Sequence, residues 1–302
     1  MPFHPPRLLL PPLALLVAAG AAAWTLTIGQ GSGPVRAAAP DPARVAEWDA
    51  LPPLYAALYV RTEADERTGT AQQRLIVRCM ARQGFTYHPP PVARAGDRTL
   101  SRPTPFGIEE RGQIAAMMEQ TVPAERPQGE AYGRALLGDP DKQLKAATGD
   151  MDVVVPAEGC QAEAEWALQG DGRLRRLELR MRLGEGERAA LDRLSRDEEF
   201  DAATAAWRAC MDEAGVTAHD PADLLRAVPE AERRDSHPAI VADLDCKART
   251  GYLRTAYTRL AALQRQWLAR NPDVLPAWNA LMEHEQRAAR AALDDPGTTD
   301  SR

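Results

Sequence analysis

Lysine is nearly absent from this chain. Lys142, Lys145 and Lys247 are the only three among 37 basic residues, and arginine supplies the rest. With the abundant alanine and proline, that imbalance reads as compositional bias rather than a functional signal. Aromatic residues make up 5% of the 302 residues, so the core is expected to rest on Leu, Ala and Val. A positive excess is lacking too. The formal net charge of −6 excludes the basic footprint of a general nucleic-acid binder. Cysteine is limited to four residues, with no Cys-x2-Cys pair and no histidine at ligand spacing, which excludes the usual zinc patterns. Gly-x-Ser-x-Gly, His-Glu-x2-His, Walker and Rossmann fingerprints are all missing. No metal and no cofactor is therefore expected, and no residue is assigned as catalytic.

One long apolar run is present. Leu8 to Ile28 carries no charge, and Arg7 precedes it. As a helix it would span roughly 31 Å, about one hydrocarbon core. Residues 1–39 therefore read as a signal peptide or signal anchor with its linker. Both forms stay open, because Val35-Arg-Ala37 and Ala37-Ala-Ala39 resemble cleavage sites. Either form places the rest of the chain outside the cytoplasm, as a membrane-tethered or secreted protein. All four cysteines then lie in an oxidising compartment, and an even count there predicts two disulfides.

The cysteines sit in an approximate internal repeat. Ile76-Val-Arg-Cys79-Met80-x3-Gly84 matches Trp207-Arg-Ala-Cys210-Met211-x3-Gly215. Residues three and four apart share a helix face, so each stretch forms an apolar stripe. Glycine one turn later suits a left-handed C-cap. Each stretch then reads as a helix end that offers a cysteine to a later partner, Cys160 or Cys246. Four cysteines allow three connectivities, and the repeat favours Cys79–Cys160 with Cys210–Cys246. Each such loop would be worth about 4 kcal/mol by chain entropy.

Taken in order, Pro52 and Pro53 open a first helix, and a second runs over 70–83. Pro89, Pro90, Pro91, Pro103 and Pro105 then exclude regular structure. A helix is expected over 109–120 and a short one over 131–137. Val153 to Val155 resembles a strand too isolated to build a sheet. Helices follow over 160–169 and 173–194, the latter carrying five arginines over 173–183. Those arginines read as a solvated face, with contact to an anionic surface as the alternative. Ser195-Arg-Asp-Glu198 matches a capping box. Ser236-His-Pro238 opens a run expected to continue to Trp267, and Asn271-Pro272 breaks it before a last helix to Leu293. These two long helices are expected either to continue nearly straight or to fold back as a coiled-coil-like pair. The organisation is 40–170 as a first helical unit with Pro-rich loops, 171–293 as a second, and 294–302 as a polar tail.

The five histidines are scattered, and none joins a ligand cluster. Asp243 and Asp245 flank Cys246 on different helix faces, and Asp243 reads as part of a negative first turn. The cysteines read as structural rather than redox-active.

The motifs Cys79-Met-x3-Gly84, Tyr132-x2-Ala-Leu136-x-Gly138, Gly159-Cys160, Trp207-x2-Cys-Met211-x3-Gly215 and Ala242-Asp-x2-Cys246-Lys-x2-Thr-Gly251 resemble a family of uncharacterised actinobacterial exported envelope proteins. The resemblance spans about residues 55–293. It implies an exported, helix-rich, disulfide-bonded chain and carries no catalytic residue. The sequence thus predicts an all-α fold of disulfide-clipped helical units with long C-terminal helices. The function expected is non-enzymatic: an envelope protein that binds a protein or wall component through helical surfaces, with Tyr257, Trp267 and Trp278 as the candidate surface. An extracytoplasmic hydrolase or redox protein with an unrecognised site is the alternative.

Overall fold

The computed structural model describes residues 51–95, 103–115, 129–148, 151–229 and 232–295. The expected signal or anchor segment and residues 296–302 of the tail lie outside them. Ten helices run α1 Pro53–Tyr59, α2 Glu63–Arg82, α3 Glu130–Leu137, α4 Cys160–Gln169, α5 Gly172–Leu194, α6 Glu198–Glu213, α7 Pro221–Ala227, α8 Pro238–Thr250, α9 Tyr252–Arg270 and α10 Val274–Asp294. Strands β1, Gln143–Thr148, and β2, Met151–Pro156, form an antiparallel hairpin with Ala146 opposite Val153. The described chain is mostly helical and carries two disulfides, Cys79–Cys160 and Cys210–Cys246. Those bonds place it in an oxidising, extracytoplasmic environment. Among the described residues no helix is long and apolar enough to cross a membrane.

The two Cys-Met stretches end their helices identically. Phe85 N–H donates to Met80 O, and Val216 N–H donates to Met211 O, both at 2.9 Å. Gly84 and Gly215 turn the chain at φ of 81° and 75°, a left-handed backbone conformation that glycine adopts without the conformational cost other residues meet. Met80 and Met211 are fully buried beside their cysteines.

Several local expectations change. Val153 to Val155 does form a sheet, because β1 follows only two residues before β2 and supplies the partner. Ser195 does not cap α6. Asp197, one residue before the helix, accepts from Phe200 N–H at 3.1 Å, while Ser195 closes α5. The run from Pro238 is broken at Gly251, whose left-handed backbone ends α8 and redirects the chain into α9. The second helix starts at Glu63, where Thr62 and Asp65 form a reciprocal cap. Only 113–115 of the helix expected over 109–120 are helical among the described residues.

The long C-terminal helices do not fold back on each other as a pair. Both lie along α5, with Trp267 against Gly186, Asp273 on Arg182 and Glu285 on Arg176, the order expected of two helices that continue past Asn271. α9 packs on α5 and α6, whereas α10 packs on α2, α4 and α5. α10 thus shares its apolar face between the Cys79–Cys160 helices, α2 and α4, and the long helix α5. The core is also more aromatic than composition suggests. The few aromatics are concentrated: Phe106, Phe200, Trp207, Tyr252 and Tyr257 form one cluster, with Phe106 edge-on to Tyr257 at 5.1 Å.

Candidate functional site

The residues expected to form a surface are largely interior. Tyr257 is buried and donates from its hydroxyl to Glu109 Oε1 at 2.6 Å. Trp278 is buried at 5% exposure, beneath the Arg176 guanidinium. Trp267 lies against Gly186 so closely that a Cβ there would sit 2.8 Å from Trp267 Cδ2. The helix stripe is apolar because it faces the core, so these side chains do not make an open binding face.

The arginines of α5 tie elements together. Arg173 donates to Glu165 and to Pro156 O, holding the hairpin. Arg176 donates to Glu285 on α10 at 3.2 Å. Arg182 pairs with Asp273 at 2.9 Å. Arg175 pairs with Glu178, and Arg180 stacks on Tyr59. The solvated face expected of these arginines does not hold at Arg173, which is buried, and Arg176 and Arg182 bridge to other elements because carboxylates from those elements pack against α5.

Sequence reasoning missed the buried polar centre. Asp243 and Lys247 are each 2% exposed, and Lys247 Nζ donates to Asp243 Oδ2 at 2.7 Å and to Ile108 O at 2.6 Å. Trp207 Nε1 donates to Asp243 Oδ1 at 3.0 Å. Asp243 lies in the second turn of α8, so the first-turn role expected for it does not hold. Burial pushes its carboxyl pKa up and the Lys247 amine down, with their mutual attraction opposing both shifts. The signal was present in the Asp-x3-Lys spacing, which puts both on one face. Asp245, on another face, pairs with exposed Arg111. With its polar contacts filled by Trp207 and the Ile108 carbonyl, this centre clasps the 103–115 segment onto α8.

A second buried carboxyl, Glu187, accepts from Tyr59 Oη at 3.0 Å, and burial pushes its pKa up. No group of three or more His, Cys, Asp or Glu among the described residues has metal-binding geometry.

One concave surface among the described residues lies beside Cys79–Cys160. It is an open groove of about 610 Å³ between the end of α2, helix α3 and the start of α4. Gly138 and Gly159 let the backbones of its two walls touch; a Cβ on Gly159 would sit 2.3 Å from Gly138 N. Trp166 lines it and remains 43% exposed, an unusual position for so large an apolar side chain. Gln83, Arg134, Asp139, Glu158 and Glu163 supply its polar lining. The sequence pointed to Gly138, Gly159 and Cys160 as motif residues, but the groove joins three distant segments and leaves no local pattern.

No family model matches this chain, and no curated protein or solved structure matches it at a significant level.

Proposed function

We propose that this is a non-enzymatic extracytoplasmic binding protein whose ligand sits in the groove beside Cys79–Cys160. The observation that carries this reading is Trp166, left exposed on a polar-lined groove whose walls are fixed by a disulfide and a glycine–glycine contact. Rigid walls lower the ordering cost of binding. The resemblance of the Cys-Met-x3-Gly motifs to exported envelope proteins and the two disulfides support an envelope setting. Tethering by residues 1–39 belongs to the same proposal.

A photo-crosslinking residue at position 166 of the full-length chain tests it in cells. Envelope material should attach at 166 and not at an equally exposed control, Val60, which is 44% exposed. Absence of any adduct specific to position 166 would overturn the reading.

The enzymatic alternative has one observation in its favour, the buried Glu187 carboxyl facing the Tyr59 hydroxyl. Turnover of a wall or lipid substrate that vanishes in Glu187→Gln would establish it.

A further inference from the structure

We infer that the groove ligand is an uncharged carbohydrate, with one sugar ring stacked on the Trp166 indole. This inference rests on the groove-binding reading above and names its ligand class. A sugar ring presents an apolar face of C–H groups and a rim of hydroxyls, each both donor and acceptor. Its complement is one flat, accessible apolar surface ringed by mixed polar groups. Trp166 is such a surface, and an indole offers large area at little conformational cost. The remaining apolar lining is half-buried Phe85 with Ala131, Ala135, Ala157 and Ala162, so the groove offers flat surface rather than a deep pocket for a peptide side chain.

The charges around the groove favour a neutral ligand. Glu163 is paired with Arg82, Glu158 with Lys142 at 2.7 Å, and Arg134 with Glu130 at 3.0 Å. These pairs occupy three of the charged lining groups, and Asp139, whose carboxylate accepts from Asp141 N–H at 3.0 Å, adds a negative charge that disfavours an anionic ligand. They still leave carboxylate lone pairs and guanidinium N–H groups for hydroxyls. Gln83 adds a side chain with both donors and an acceptor. The groove's volume falls in the range of small-ligand sites, roughly 300–1,000 Å³.

The test uses the full-length, oxidised protein in detergent, titrated with chitotetraose, cellotetraose and maltotetraose by calorimetry. At least one should bind saturably, with an affinity insensitive to added salt because no charge pair forms. Trp166→Ala should weaken it about tenfold or more, while Trp166→Tyr retains most of it. Trp166→Tyr keeps a flat aromatic at the site and should stay folded with a midpoint near the parent's, so its retained binding separates recognition from any loss of packing in Trp166→Ala. No binding of any of the three, or equal binding by Trp166→Ala, would overturn the carbohydrate. An extended peptide recovered from the position-166 crosslink would also overturn it while leaving the groove-binder reading intact. No crosslink at that position would remove both.

Discussion

Trp207 Nε1 donates a hydrogen bond to Asp243 Oδ1 at 3.0 Å, joining α6 to α8 one turn from the disulfide that joins the same helices. The contact makes Asp243 the shared acceptor of an indole and of the Lys247 ammonium, with both acidic and basic partners almost wholly out of water. A pair so placed is costly to break from one side, because the survivor is left buried and unpaired.

Lys247→Met should therefore destabilise the protein by about 3–5 kcal/mol, measured by urea unfolding. Asp243→Leu should cost a similar amount. The double substitution should cost clearly less than the sum, because no uncompensated charge remains. Additive losses would show that the two groups do not act as a pair. The sign with pH follows from the raised Asp243 pKa. Its stabilising contribution is fully present below the unfolded value and lost as pH rises through the folded one. Asp243→Asn should remove that decline.

Asp197 has the opposite sign. The Arg259 guanidinium, donating through Nε and Nη2, holds its carboxyl below the usual range. That stabilisation is present above the unfolded pKa of about 3.9 and is lost as pH falls through the lowered folded value. Asparagine also caps helices well, so Asp197→Asn keeps the α6 cap and removes the charge. Melting curves of the variant should fall less steeply below about pH 4 than those of the parent. Parallel curves would assign no role to the charge pair.

Removing either disulfide by paired Cys→Ser substitution should cost about 2–5 kcal/mol. Non-reducing peptide mapping of the parent should yield only the Cys79–Cys160 and Cys210–Cys246 links. A Cys79–Cys210 peptide would contradict the fold.

Two glycines with left-handed backbones should respond differently to alanine. At Gly84, φ 81°, a Cβ meets nothing within 4 Å, so the cost is the conformational one of about 1–2 kcal/mol. At Gly159, φ 93°, the same methyl strikes the Gly138 backbone at 2.3 Å. That variant should lose roughly 3 kcal/mol or more and open the groove wall. Comparable melting temperatures for the two variants would show that the wall contact is dispensable.

The sequence by itself determined what depends on neighbours along the chain. The glycine-closed ends of α2 and α6, the Pro53 start of α1 and the break at Asn271 were all readable. Each rests on backbone conformation or on a cap within a few residues. The favoured cysteine pairing was readable because the repeat placed equivalent cysteines on equivalent helix ends.

The tertiary structure decided what depends on partners far away. Apolar stripes show that a helix is buried but not against what. Trp267 and Trp278 therefore looked available until α5 covered them. Asp243 looked like a first-turn charge, but Trp207 from α6 donates to it and the Ile108 carbonyl accepts from its partner Lys247, both from elements distant in sequence. α10 packs on α2, α4 and α5 because its apolar stripe meets Ala71 and Leu168 through Ala289, and Leu179 and Leu183 through Val274 and Trp278. The groove at Trp166 exists only because Gly138 and Gly159, which are 21 positions apart, meet across it. Long-range packing of this kind leaves no period in the sequence, since its register is set by shape and charge between segments rather than along one.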